Sequence, residues 1–85
     1  MTQHLLNCYP EYFEAIMDGT KTFECRYNYR DFKVGDELLL REYDPQKGYT
    51  YRCIVRKITY ILSDFIGLKD GYVILGVTNE PIDYF

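Results

Sequence analysis

The chain has no tryptophan, a single histidine, and three cysteines without a CxxC pair, and each scarcity closes off a class of function. A zinc centre needs clustered imidazole or thiolate ligands, and His4 with Cys8, Cys25 and Cys53 at wide, irregular spacing does not supply them. An odd cysteine count also argues against a disulfide framework, so the thiols are expected to be free and buried or half-buried. No apolar run approaches the ~20 residues that span a bilayer, and the opening MTQHLLNCY carries no signal-peptide pattern. Nor is there a repeat, a linker or a low-complexity stretch. The expectation is one cytoplasmic domain over residues 1–85, without a membrane segment, a metal or a cofactor.

What is present is aromatic and unevenly charged. Ten of the 85 residues are tyrosine, a number that suits a small β-rich domain in which one side of each ring packs and the hydroxyl meets water. The same rings would also serve for stacking on bases. The net charge of −3 argues against a surface that binds phosphates everywhere. Residues 21–57, however, hold nine of the ten basic side chains against six acids, leaving one lysine and seven acids in the flanks. Arg30, Lys33, Arg41, Arg52, Arg56 and Lys57 fit either a solvated set that keeps strand edges apart or a set that neutralises a bound polynucleotide.

Along the chain, QHLLNCY reads as a first strand. PEYFEAIMDG follows as a helix: Pro10 suits the first helical position, Glu11 complements the positive helix start, and Phe13, Ile16 and Met17 share a face. Gly19 stands where a left-handed residue would end that helix. KTFECRYNY alternates, which predicts a half-buried strand with Phe23, Cys25 and Tyr27 inward and Thr22, Glu24 and Arg26 outward. Gly35 and Asp36 mark a turn before a strand near residues 37–43, and DPQKG joins it to the long segment YTYRCIVRKITYIL, with Arg52, Arg56 and Lys57 as a basic stripe. SDFIGLKDG breaks the pattern and has room for one helical turn. YVILGVT is wholly apolar and predicts a central strand, while the tail, residues 78–85, is either a loose end or docked through Ile82, Tyr84 and Phe85. The order β-α-β-β-β-β predicts an α+β, mainly β fold: a small, partly open barrel of five to six strands with one main helix against it.

Local rules leave a surplus in DGTKTFECR. Glu24 and Arg26 lie on one strand face and Lys21 just before it. By spacing alone they form either a solvated ion pair or a polar cluster at a barrel mouth, with Lys21 and Arg26 as partners for an anion or carbonyl and Glu24 as acceptor for base donors. Glu42 and Asp44 read as strand-end and turn charges, and His4 as structural or exposed.

Gly19-x-Lys21-x-x-Glu24-x-Arg26 resembles the G-x-K-x-x-E-x-R signature of the ASCH domain, a branch of the PUA-like superfamily. The resemblance runs over roughly residues 3–77 and is strengthened by the VGD turn and the late YVILGV strand, in the manner of a small bacterial and phage subfamily. It implies a PUA-like barrel with a cleft at the helix end that binds RNA or a modified nucleotide, lined by Lys21, Glu24 and Arg26, with Thr22 and Tyr27 beside them. Some ASCH relatives hydrolyse the acetyl amide of N4-acetylcytidine with a lysine, a threonine nucleophile and a distal glutamate. Lys21 matches that lysine, Glu24 stands at the nucleophile's position, and no glutamate after residue 63 matches clearly. Other relatives are metal-dependent ribonucleases, but no DxD or HxH pair accompanies Glu24 here. The catalytic residues are therefore left open. An RNA-binding module, a small amidohydrolase or nuclease, and a protein-interaction module all remain as readings.

Overall fold

The computed structural model describes residues 1–79, in which five strands and one helix run in the expected order. Strand β1 (Gln3–Cys8) leads into helix α1 (Pro10–Met17), followed by β2 (Phe23–Tyr27), β3 (Glu37–Asp44), β4 (Gly48–Leu62) and β5 (Tyr72–Val77). Pro10 opens α1, where its missing N–H is no loss, and Tyr9 precedes it in an extended conformation. Phe13 and Ile16 are the face that α1 buries, each contributing about 1.5–3 kcal/mol of apolar burial, while Met17 stays exposed. The helix stops at Gly19, whose φ of +86° a side chain would strain and whose N–H donates to Ile16 O at 3.2 Å.

The sheet order is β1-β3-β4-β5-β2, with β1 parallel to β3 and every other pair antiparallel. The fifteen residues of β4 pair first with β3 and then with β5, so one strand carries both halves of the curved sheet. Strands β1 and β2 are the two edges, and the barrel is open between them. Leu6, Leu38, Leu40, Ile58, Val73 and Leu75 fill the interior with Phe13 and Ile16. Among the described residues no helix is long and apolar enough to cross a membrane. The SDFIGLKDG segment forms turns rather than a helix, and the expected docking of Ile82, Tyr84 and Phe85 lies outside the described residues.

Three expectations need correction. Strand β2 has the expected period with the opposite phase: Glu24 is buried, whereas Phe23, Cys25 and Tyr27 are exposed. The cause is topological. On the inner face Glu24 is opposite Leu75 and Arg26 opposite Val73, so β5 already seals the core. As an edge, β2 turns its inner face to the open seam, where a charged group can be satisfied. The basic stripe of β4 also breaks up. Arg56 is 2% exposed and donates to Val55 O and to Ile16 O, one of the last carbonyls of α1, so it serves as a C-terminal cap. Burial without a carboxylate partner among the described residues lowers its pKa. Finally, Cys8 is buried as expected, but Cys25 and Cys53 are exposed; all three are free.

Glu42 and His4 are both structural anchors. Between Arg41 and Tyr43 the β3–β4 register shifts, so that Thr50, Tyr51 and Arg52 bulge opposite Glu42. Tyr51 takes φ +71°, and the bulge turns two neighbours onto one buried carboxylate: Thr50 Oγ1 donates to Glu42 at 2.5 Å and Arg52 Nε at 2.9 Å. Arg52 also pairs with Glu14, tying the hairpin to α1. Those donors, Arg52 first, hold the Glu42 carboxyl below its ordinary range. At the opposite end, buried His4 meets Asp36 at 2.8 Å, and Asp36 also accepts from the backbone N–H groups of Thr2 and Lys33.

Candidate nucleic-acid cleft at the open seam

The two sheet edges set the site. In β2, Thr22 O accepts from Val77 N and Asn28 N donates to Gly71 O. The even-numbered residues between them therefore turn their backbone groups to β5, and Phe23, Cys25 and Tyr27 turn theirs to the open side. In β1, the parallel register with β3 and the bond from Glu37 N to Thr2 O leave the backbone groups of Gln3, Leu5 and Asn7 facing outward. The guanidinium of Arg26 bridges the gap, donating from Nη2 to Asn7 O at 2.7 Å.

Behind that bridge lies Glu24, with its side chain 5% exposed. Lys21 Nζ approaches one carboxylate oxygen at 2.6 Å, and Arg26 holds the other with Nη2 at 2.7 Å and Nε at 3.1 Å. Lys21 is placed by the helix end, since its backbone N–H donates to Ala15 O at 2.9 Å. Its ammonium also donates to Phe23 O at 2.7 Å and lies 4.8 Å from the Phe23 ring and 5.3 Å from that of Tyr12. The buried carboxylate thus has a charge-assisted donor on each of its oxygens.

This triad forms one wall of a cavity of about 690 Å³. Tyr9, Tyr12, Phe23 and Tyr43 supply aromatic walls, and Asn7 and Cys25 stand at the two edges. Tyr9 and Tyr12 have nearly parallel rings with centroids 6.4 Å apart, and both are about half exposed. Cys8 is buried at the base. Burial, and next the negative Glu24, push its thiol up to about 11 against the opposing effect of Arg26 and Lys21, so it is no nucleophile at neutral pH.

Of the candidate residues read from the motif, the fold brings Lys21, Glu24 and Arg26 together. Thr22 and Tyr27 are exposed and stand outside the cavity lining. Tyr27 instead packs edge-on against Tyr72 and beside Tyr29 on the outer face of the sheet. Among the described residues no three His, Cys, Asp or Glu side chains gather in a way that could hold a metal ion. Sequence reasoning missed Asn7 and the tyrosine wall. Tyr9 and Tyr12 flank the helix start three residues apart, which is a signal available in principle; Asn7 offers none without the strand order.

The chain matches, over residues 3–77, the family described as "Domain of unknown function (DUF3850)". It belongs to that family. The DUF3850 chain is also 32% identical over 74 residues to the "Uncharacterized 12.9 kDa protein in GpA 3'region" of Escherichia phage P2, which covers 85% of this chain and 64% of the phage protein. It thus spans under two thirds of the length of that curated relative. Its fold matches the crystal structure of a point mutant of ZmASCH from Zymomonas mobilis with a TM-score of 0.66, covering 98% of this chain and 74% of that one at 18% identity. The DUF3850 chain therefore shares the fold of that ASCH protein, the fold that its G-x-K-x-x-E-x-R stretch suggested.

Proposed function

We propose that the seam cleft binds a base of single-stranded RNA or a modified nucleoside, with Lys21, Glu24 and Arg26 as its polar wall. The observation that carries this reading is the buried Glu24 carboxylate, clamped by two cations beside an aromatic-lined cavity. Flat rings fit between aromatic walls, the two cations offer donors to carbonyl or phosphate oxygens, and Glu24 keeps acceptor capacity for an exocyclic amine. The ASCH-type fold adds support by likeness.

Amide hydrolysis has less support. Lys21 Nζ already donates to Glu24 and to Phe23 O, so it is engaged with the protein rather than free to face a substrate. Thr22, the nearest hydroxyl in the motif, is outside the cavity lining. A fluorescence-anisotropy titration with single-stranded RNA at low salt tests the binding reading. Tyr12→Ala is expected to weaken binding by roughly 1–3 kcal/mol, the loss of one stacking partner, while the fold stays intact. No binding by the parent protein, or unchanged binding by Tyr12→Ala, would remove the proposal. If the parent releases acetate from N4-acetylcytidine, the hydrolase reading replaces it.

A further inference from the structure

The half of the sheet built from β2, β5 and β4 has an outer face that the triad does not use. Residues paired across strands point to the same side, so the strand registers set that face out row by row. Phe23, Gly76 and Tyr60 form the first row. Cys25, Ile74 and Leu62 form the second, and Tyr27 and Tyr72 the third. None of these positions carries a charge. The alternate residues of β5, Val73, Leu75 and Val77, are the ones buried in the core, which puts the rows outside. Helix α1 packs into the interior through Phe13 and Ile16 and leaves the outer face uncovered.

The β4–β5 connection extends the patch. Its Phe65 and Ile66 border one hollow with Tyr72, and Ile66 is 99% exposed. Phe23, Tyr27, Tyr60, Phe65 and Tyr72 range from 38% to 65% exposed. At ~150–250 Å² per ring and about half exposure, these side chains leave on the order of 500 Å² of aromatic surface in water. That is near the top of the ~300–600 Å² patch a monomer leaves bare. Ile66, Leu62 and Ile74 carry it toward the ~800 Å² that each partner contributes to a stable interface.

Charge and shape then choose the occupant. A polynucleotide needs cations along its backbone, and the rows hold none. An uncharged aromatic patch suits another of its kind, and two copies of net charge −3 keep their like charges away from such a contact. The first row is also self-complementary. Gly76 leaves a gap between Phe23 and Tyr60, and the side chain it lacks would stand 3.4 Å from Tyr60 Cβ, on the same side of the sheet. Tyr60 is the ridge beside that gap, 65% exposed. A two-fold axis lays the ridge of each copy in the gap of the other, with the sheets about 10 Å apart.

We infer that the chain forms a two-fold homodimer through this face, with Tyr60 and Gly76 at its centre. The dimer stands apart from the ligand reading, because the face and the triad lie on opposite sides of β2. Cys25 is at the rim, where it also lines the seam cavity, so its thiol stays reachable from the cleft in the dimer.

Sedimentation velocity on the full chain, from sub-micromolar to several hundred micromolar, tests this alongside Tyr60→Glu and Val34→Glu. Val34 is exposed in the turn before β3, away from the face, and makes the charge control. The parent is expected to shift from the mass of one chain to that of two as concentration rises. Tyr60→Glu removes a ring and sets two like charges across the axis, so its dissociation constant rises on the order of a hundred-fold. Its circular dichroism and melting at the dilute end match the parent, and Val34→Glu dimerises as the parent does. A parent of one-chain mass throughout overturns the inference. So does a Tyr60→Glu variant that pairs as tightly as the parent, or a Val34→Glu variant that pairs as weakly as Tyr60→Glu. A monomeric parent whose affinity for single-stranded RNA falls in Tyr60→Glu makes the face a stacking platform instead, and the inference is overturned in that case too.

Discussion

Replacing Glu24 with glutamine is the sharpest perturbation of the triad. The side chain keeps its shape and loses its charge. Its single carbonyl oxygen can face Lys21 or Arg26, and the amide group then points two hydrogens at the other cation. Lys21 and Arg26 have side chains only 18% and 25% exposed, so water compensates them poorly. Breaking a buried pair by removing one partner costs about 3–5 kcal/mol, and partial access to solvent places this case at the low end, about 3 kcal/mol. For a domain of this size that lowers the melting temperature by about 12–24 °C. Thermal and urea denaturation followed by circular dichroism would read it directly. The triple variant Lys21→Met, Glu24→Leu, Arg26→Met is expected to recover most of the loss, because it removes all three charges together. A melting point within a few degrees of the parent for Glu24→Gln would refute the picture of a desolvated, mutually dependent triad.

Three other outcomes follow from the same physics. Asp36 has its carboxyl pKa lowered, chiefly by the His4 hydrogen bond and in part by the Thr2 and Lys33 amides. Its contribution is therefore complete above the unfolded carboxyl value of 3.8 and is lost as the pH falls below it, so Asp36→Asn should show a flatter urea midpoint between about pH 4 and 2 than the parent. Tyr51 holds φ +71° while 94% exposed, so Tyr51→Gly should be neutral or stabilising, and Tyr51→Val should cost about 1–2 kcal/mol by denaturant unfolding. Cys8 should resist iodoacetamide at pH 8 while exposed Cys25 and Cys53 react, giving two labels on the native chain and three in urea by mass spectrometry.

Much of the fold is written in local patterns, because those patterns act within a few residues. Pro10, Glu11 and Gly19 bound the helix through groups that lie next to one another, and DPQKG closes the β3–β4 hairpin for the same reason. The phase of β2 is a different kind of fact. Alternation gives a period, but which set faces inward depends on whether the neighbouring strand already closes the core, and β5 does. Glu42 was legible only as a strand-end charge, since the bulge that aims Thr50 and Arg52 at it is a pairing between β3 and β4. Asn7 was silent because the contacts that define it come from Arg26, Arg41 and Tyr49, all distant in the chain. Lys21, Glu24 and Arg26 were readable as a set through a motif, and geometry added that Glu24 is buried between the other two.

The central claim is that ligand sits in the β1–β2 seam, and alkylation kinetics test it most directly. Cys25 lines the cleft, whereas Cys53 is exposed elsewhere, on β4. With single-stranded RNA bound to saturation, labelling of Cys25 is expected to slow on the order of ten-fold while Cys53 reacts at its free rate. Saturated protein whose Cys25 labels as fast as in the free chain would place the ligand elsewhere and contradict the account.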